Sequence, residues 1–237
     1  MSLKVRDLRV AYGAAVAVHG ISLTVEPHTV VSVIGPNGAG KSSFLSGVMG
    51  VVPSAGGVEV DGFPFQSLSS SARSRSGLSY VPDGPGIFPD LTVKEHIRVA
   101  GGRCWKKRWV ELVERFPLLE EKQDSPARDL SGGQKQTVSI ARALASDPSY
   151  ILLDEPSMGL SPIAIIGVIA AIEELSSGGV GVLLVEQNSS LALGVSDEVH
   201  VVVRGSVVAS GTPQELRAKN LAALYLGQPA DSGHHAS

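Results

Sequence analysis

The chain has almost no cysteine, no long apolar run and no excess of positive charge. Cys104 is the only cysteine among 237 residues, which excludes an internal disulfide and fits a reducing compartment. The longest apolar stretch, Ile163 to Ile172, is too short to cross a bilayer, which takes roughly 20 residues. Met1-Ser2-Leu3-Lys4-Val5-Arg6 has no apolar segment behind its charges, so no signal peptide is expected. A formal net charge of −3 argues against nucleic acid as a partner. Any membrane association is therefore expected to run through another protein. What is present is ordinary globular composition, 43% hydrophobic and 18% charged residues. That supports a sizeable core in one domain, or one domain with a subdomain.

Leu3 to Val10 and Ile21 to Val25 alternate apolar and polar residues, as half-buried strands do. Val30 to Ile34 is nearly continuous, as a buried parallel strand is, and it runs into a glycine-rich loop with a helix from Ser42 to Val48. Gly56 to Gly62 reads as turn, short strand and turn. The serine- and arginine-rich Ser67 to Ser76 reads as a short polar helix or loop, and Leu78 to Pro82 as a short buried strand. From Thr92 to Ser146 the period turns helical. Trp105, Trp109, Leu112, Val113 and Phe116 fall at i, i+4, i+7, i+8 and i+11, for which core packing is the ordinary explanation. The intervening Arg103, Lys106, Lys107 and Arg108 read as a solvated face, with lipid headgroups or an acidic partner loop as the alternative. The α/β pattern then resumes with a strand at Tyr150 to Glu155. A helix opens at Ser161-Pro162, an N-cap and first-turn proline, and runs to about Leu175. Val180 to Val185 and Val199 to Val203 read as further strands. The pattern predicts an α/β core with a helical insert at about 88–145, and a polar, disordered tail over 229–237.

Gly35-Pro36-Asn37-Gly38-Ala39-Gly40-Lys41-Ser42 between a strand and a helix is a P-loop. Its glycines let backbone N–H groups turn inward around phosphates, Lys41 reaches the β/γ-phosphates, and the Ser42 hydroxyl can hold Mg²⁺. Ser43 continues the phosphate-binding set. Asp154 and Glu155 end an apolar strand, where an open α/β sheet presents its ligands. Adjacent carboxylates buried there call for a cation, and Mg²⁺ held by Ser42 and Asp154 supplies one. Glu155 is then placed to take a proton from an attacking water. Leu130-Ser131-Gly132-Gly133-Gln134 opens a second helix with free backbone donors, a cradle for another anion. One nucleotide does not need two cradles so far apart in one small domain, but two chains head to tail would use both.

Together the P-loop, Leu130 to Gln134 and Ile151-Leu152-Leu153-Asp154-Glu155-Pro156 resemble the ATP-binding cassette (ABC) family over almost the whole chain. The second glycine motif is the more specific part, since the P-loop alone says only NTPase. The resemblance implies a P-loop NTPase (RecA-like) α/β core with an antiparallel β subdomain and an inserted α-helical subdomain, filling residues 1–228. It implies ATP and Mg²⁺ as cofactors, with Tyr12 stacked on adenine. Ser131 and Gly133, with Gly132 and Gln134 of the same motif, would face the nucleotide bound to the other protomer. The segment after Tyr80-Val81-Pro82 would report nucleotide state to a membrane partner, Ser157 to Ser161 would cross the dimer interface, and Val185-Glu186-Gln187-Asn188 would be the switch. The implied partners are transmembrane permease subunits, a second cassette, identical or not, and, indirectly, a solute-binding protein. The implied place is cytoplasmic, peripheral on the inner face of the cell membrane.

Three positions depart from the common family pattern. Asp83 stands where Gln or Glu is usual, which shortens its reach toward Mg²⁺ or the water. Gln187 stands where His is usual and can donate to a γ-phosphate oxygen but cannot titrate, leaving Glu155 as the base. Ser161 replaces the usual Asp of the dimer-crossing loop. With Phe88-Pro89-Asp90-Leu91-Thr92-Val93 and Tyr225-Leu226-Gly227, these segments are similar to the smaller ATPase subunit of branched-chain amino-acid importers. Pro82-Asp83-Gly84-Pro85 differs from the Pro-Glu-Gly-Arg usual in that branch, so urea or amide import and lipid or polysaccharide export stay open as cargo. A non-transport cassette acting on ribosomes or DNA usually carries two P-loops or a coiled-coil insert, and neither is present.

Overall fold

The computed structural model describes residues 1–84 and 86–225. The tail at 229–237, Pro85 and the last two residues of Tyr225-Leu226-Gly227 lie outside them. A four-stranded antiparallel sheet, in the order β2-β1-β4-β5, is formed by β1 (Leu3–Tyr12), β2 (Ala15–Val25), β4 (Ser54–Val60) and β5 (Phe63–Pro64). The second sheet has six strands in the order β10-β9-β3-β8-β7-β6. These are β3 (Val30–Ile34), β6 (Leu78–Val81), β7 (Tyr150–Asp154), β8 (Gly181–Glu186), β9 (Glu198–Val203) and β10 (Ser206–Gly211). All its neighbours pair in parallel except β10, which runs antiparallel to β9. The parallel strands are buried on both faces, which is why Val30–Ile34 and Tyr150–Asp154 read as unbroken apolar runs.

Helix α1 (Lys41–Met49) lies between the two sheets. Phe44, Leu45 and Val48 are wholly buried there, with Leu8 and Val10 of β1 and Leu183 of β8 in the same core. Between β6 and β7 the described chain is helical, with α3 (Val93–Gly101), α4 (Trp105–Arg115), the short α5 (Leu118–Glu121) and α6 (Gly132–Ala145). The helical period at 105–116 holds. Leu112 and Phe116 are buried and Trp109 and Val113 pack partly beneath them, while Arg103, Lys106 and Lys107 face outward. Helix α7 (Pro162–Ser177) opens as expected, with the Ser161 hydroxyl accepting from Ala164 N.

Four readings change. Ala15–Val25 is one long strand, because pairing with β1 supplies hydrogen bonds to the small residues before Ile21. Gly56 and Gly57 lie inside β4, where the pairing shifts register between Arg6 and Arg9, so an irregular strand replaces a turn. After β8 come α8 (Ser189–Val195), β10, α9 (Pro213–Arg217) and α10 (Leu221–Tyr225), of which the sequence reading placed none.

The fourth change concerns Ser67 to Ser76. It forms α2 (Ser70–Arg75), yet Arg73 in its polar run is 4% exposed. The Arg73 guanidinium donates to Val48 O at 2.5 Å, Gly47 O at 3.3 Å and Leu68 O at 3.2 Å. It thereby satisfies the last carbonyls of the helix that the P-loop opens. Burial lowers its pKa, with no carboxylate among the causes. Arg73→Met keeps the stem but strands Val48 O, while Gly47 O keeps Gly50 N and Ser54 Oγ, so a loss of about 1–3 kcal/mol is expected. Urea unfolding followed by circular dichroism measures it, and an unchanged midpoint would refute the capping role.

Candidate active site

The sheet order brings the site together. β3 and β7 flank β8, and the parallel pairing puts Ile34, Asp154 and Glu186 at one edge. The chain leaves β3 into Gly35–Gly40 and leaves β7 into Glu155, so both motifs meet at the carboxyl ends of two strands separated only by β8. Gly40 closes the loop with φ 96° as the N-cap of α1, and a Cβ there would sit 2.2 Å from Ala17 O. Only glycine fits that turn.

Lys41 is 4% exposed. Its Nζ donates to Gly35 O at 2.9 Å and Pro36 O at 3.1 Å, and pairs with Glu155 Oε1 at 3.0 Å. Ser42 Oγ donates to Asp154 Oδ1 at 2.9 Å. Tyr80 OH donates to Asp154 Oδ2 at 3.1 Å, a partner the sequence reading missed because it treated Tyr80 only as part of a strand. Burial pushes the Asp154 carboxyl above the usual carboxylate range, and the charges of Glu155 and Asp83 add to it, against the two hydroxyl donors. Glu155 has φ 45°, a left-handed conformation that costs about 1–2 kcal/mol in a residue with a Cβ. Its N–H donates to Val185 O at 2.8 Å, which helps hold the strained backbone that directs the carboxylate at Lys41.

Ala17, Asn37, Gly38, Lys41, Ser42 and Asp83, with Glu155 and Met158, line a cleft of about 360 Å³ over the P-loop. Tyr12 is 52% exposed, and its hydroxyl donates to Ser43 Oγ at 3.3 Å, which places the ring beside the start of α1. Gln187 is exposed and lines an adjoining recess with Glu155, Ser157 and Asn188. Glu186 beside it is 1% exposed, accepts from Ser157 N and Asn188 N, and is raised in pKa by burial.

Ser131, Gly132, Gly133 and Gln134 do not line the P-loop cleft. Ser131 caps α6, its hydroxyl accepting from Gln134 N at 3.3 Å while Gln134 Oε1 accepts from Ser131 N at 2.9 Å. The Gln134 oxygen is therefore committed to a capping box. The glycines also pack closely, since a Cβ on Gly133 would lie 2.7 Å from Ala164 Cβ of α7.

Two further residues fasten the loop beyond Asp83. His96 of α3 is 1% exposed. Its Nε2 accepts from Phe88 N at 2.9 Å while its Nδ1 lies 2.8 Å from Thr92 O, so the neutral tautomer with the proton on Nδ1 satisfies both. Burial, with the Arg142 charge, lowers its pKa. Arg142 of α6 donates to Gly86 O at 2.5 Å. Neither residue carries a motif, and only the packing brings them to this loop.

The family model for ABC transporters matches residues 18–158. The lipopolysaccharide export ATP-binding protein LptB of Escherichia coli K12 is 36% identical over 96% of this chain and 98% of its own. The branched-chain amino-acid transport ATP-binding protein BraG of Pseudomonas aeruginosa is 38% identical over 85% and 88%. The structure of cbiO1 from Clostridium perfringens, part of the ABC transporter complex cbiONQ, superposes with a TM-score of 0.82 at 26% identity, covering 91% of this chain and 90% of that one. With a P-loop, a strand-end carboxylate pair and these relatives, the chain belongs to the ABC transporter family as an ATP-binding, ATP-hydrolysing cassette.

Proposed function

We propose that the chain works as one half of a two-cassette clamp that powers transport through separate permease subunits. The observation that carries this reading is the separation of two phosphate-binding motifs. The P-loop cleft is lined by Asn37, Gly38, Gly40–Ser43, Asp83 and Glu155, while Ser131–Gly133 lies outside it. A second cassette facing the first supplies the missing half. Among the described residues no helix is long and apolar enough to cross a membrane, in keeping with a peripheral subunit on the inner face of the cell membrane.

In this reading Lys41 and the loop N–H groups hold the phosphates, Tyr12 stacks on the base, and Glu155 accepts the proton of the attacking water. Gln187 donates from the switch. Mg²⁺ fits the residues present. Asp154 is a buried carboxylate with a raised pKa, a cost that a divalent cation removes. Ser42 and Asp154 would hold the ion, and Asp83 lines the same cleft. No cluster of three His, Cys, Asp or Glu exists among the described residues, as expected of an ion that takes its other ligands from phosphates and water. The ion would neutralise phosphate charge.

For the cargo we infer import of branched-chain amino acids or related small polar solutes, delivered by a solute-binding protein. Val185–Asn188, Pro156–Pro162 and the likeness to BraG support it. Export of a lipid is the second reading, favoured by a match to LptB that spans more of the chain. Deleting the chain's gene and following labelled leucine uptake separates the two. Uptake is expected to collapse and to return with the parent chain but not with Glu155→Gln. Normal uptake with lipopolysaccharide missing from the surface would assign export.

A further inference from the structure

The transport reading leaves unused the run from Arg98 to Val110, which carries Arg98, Arg103, Lys106, Lys107 and Arg108 and no carboxylate. The chain as a whole is −3, so this run is the positive pole of an otherwise more acidic molecule. Arg108 is spoken for, pairing with Glu111 and Asp147. No ion pair to Arg98, Arg103 or Lys106 forms among the described residues, and Lys107 reaches Glu111 only at 3.7 Å with 76% of its side chain exposed. Lys106, Lys107 and Val110 of α4, with Arg103 in the 3-10 turn just before it, are all exposed, so they form one outward stripe opposite the face that buries Leu112. Val110 within it is 57% exposed. The Arg98 guanidinium lies 5.9 Å from the centre of the Trp105 ring.

We propose that this stripe is a membrane-contact surface that binds anionic phospholipid headgroups. Three cations side by side over roughly 6 Å of chain axis match a sheet of headgroups better than the single carboxylate of a protein loop. Long basic side chains beside the exposed Val110 let the charges sit at the headgroups while the apolar parts meet the acyl boundary. The proposal rests on the transporter reading only in putting the chain next to a membrane. The purified chain, without permeases, tests it separately.

Cys104 is exposed within the stripe and is the chain's only cysteine. An environment-sensitive fluorophore placed on it reports the surface with no mutation. With vesicles of phosphatidylcholine plus phosphatidylglycerol, the label is expected to shift to the blue and the protein to float with the vesicles. Phosphatidylcholine alone should give neither, and about 0.5 M salt should reverse both. The triple variant R103E/K106E/K107E, all three residues exposed, should keep the parent ATPase rate and circular dichroism. Its partition onto anionic vesicles should fall on the order of a hundredfold, at roughly fivefold per cation removed. Equal binding to neutral and anionic vesicles overturns the proposal, as does a triple variant that binds like the parent. If that variant instead loses its permease, the stripe serves an acidic protein loop.

Discussion

Glu155→Gln is expected to bind ATP with near-parental affinity and to hydrolyse it about 10²–10⁴-fold more slowly. Glutamine is nearly isosteric and its oxygen can still accept from Lys41, so the 3.0 Å contact at the cleft floor survives without the charge. What disappears is the proton acceptor. The neighbouring candidates do not replace it. Asp154 is engaged by Ser42 and Tyr80, Glu186 is buried and engaged by two backbone N–H groups, and Gln187 has no titratable group. With turnover stopped, ATP should also hold two chains together, because the state that ATP favours is no longer emptied by hydrolysis. Phosphate release gives the rate, and light scattering with and without ATP gives the mass. Hydrolysis at the parental rate would remove Glu155 from the role of base.

Lys41→Met is expected to weaken ATP binding on the order of 10–100-fold or more, the scale of losing charge-assisted contacts to phosphate. The loss is confounded by a second effect. Lys41 and Glu155 form an ion pair with side chains 3% and 10% exposed, and removing one partner of such a pair costs about 3–5 kcal/mol. The double variant Lys41→Met/Glu155→Gln removes the unpaired carboxylate. It should recover most of the single variant's lost stability in urea and none of its lost affinity in a fluorescent-nucleotide titration. Recovery of both would mean that Lys41 acts on the fold and not on the phosphates.

The features legible in the sequence were the local ones. The P-loop, Asp154-Glu155 and the Ser161-Pro162 cap are set by neighbours along the chain, and the helical period at 105–116 exposes its own inner face. Arg73, Tyr80 and His96 were illegible because their partners lie 25, 74 and 8 residues away in sequence, and nothing in their own neighbourhoods marks them. Arg73 stood unremarked in a run read only as polar, because the helix end that needs it is found only in the packing. Gln134 was legible in a second way. Ser131-x-x-Gln134 is a capping-box spacing, and its side-chain oxygen serves the helix, whatever Ser131 and the glycines offer a nucleotide. The short elements after β8 lack a period long enough to declare themselves and exist through contacts with β3 and β9.

The double fastening of the loop beyond Asp83 has a mechanical corollary. Gly86 is moored to Arg142 and Phe88 to His96, so a load on the exposed Phe88 ring cannot be absorbed where it lands. It enters α3 and α6 together. On α6 the mooring at Arg142 sits eleven residues from the cap at Ser131, roughly 16 Å of uninterrupted helix. A push at one end is expected to reach the other as travel, because a single unbroken helix joins them.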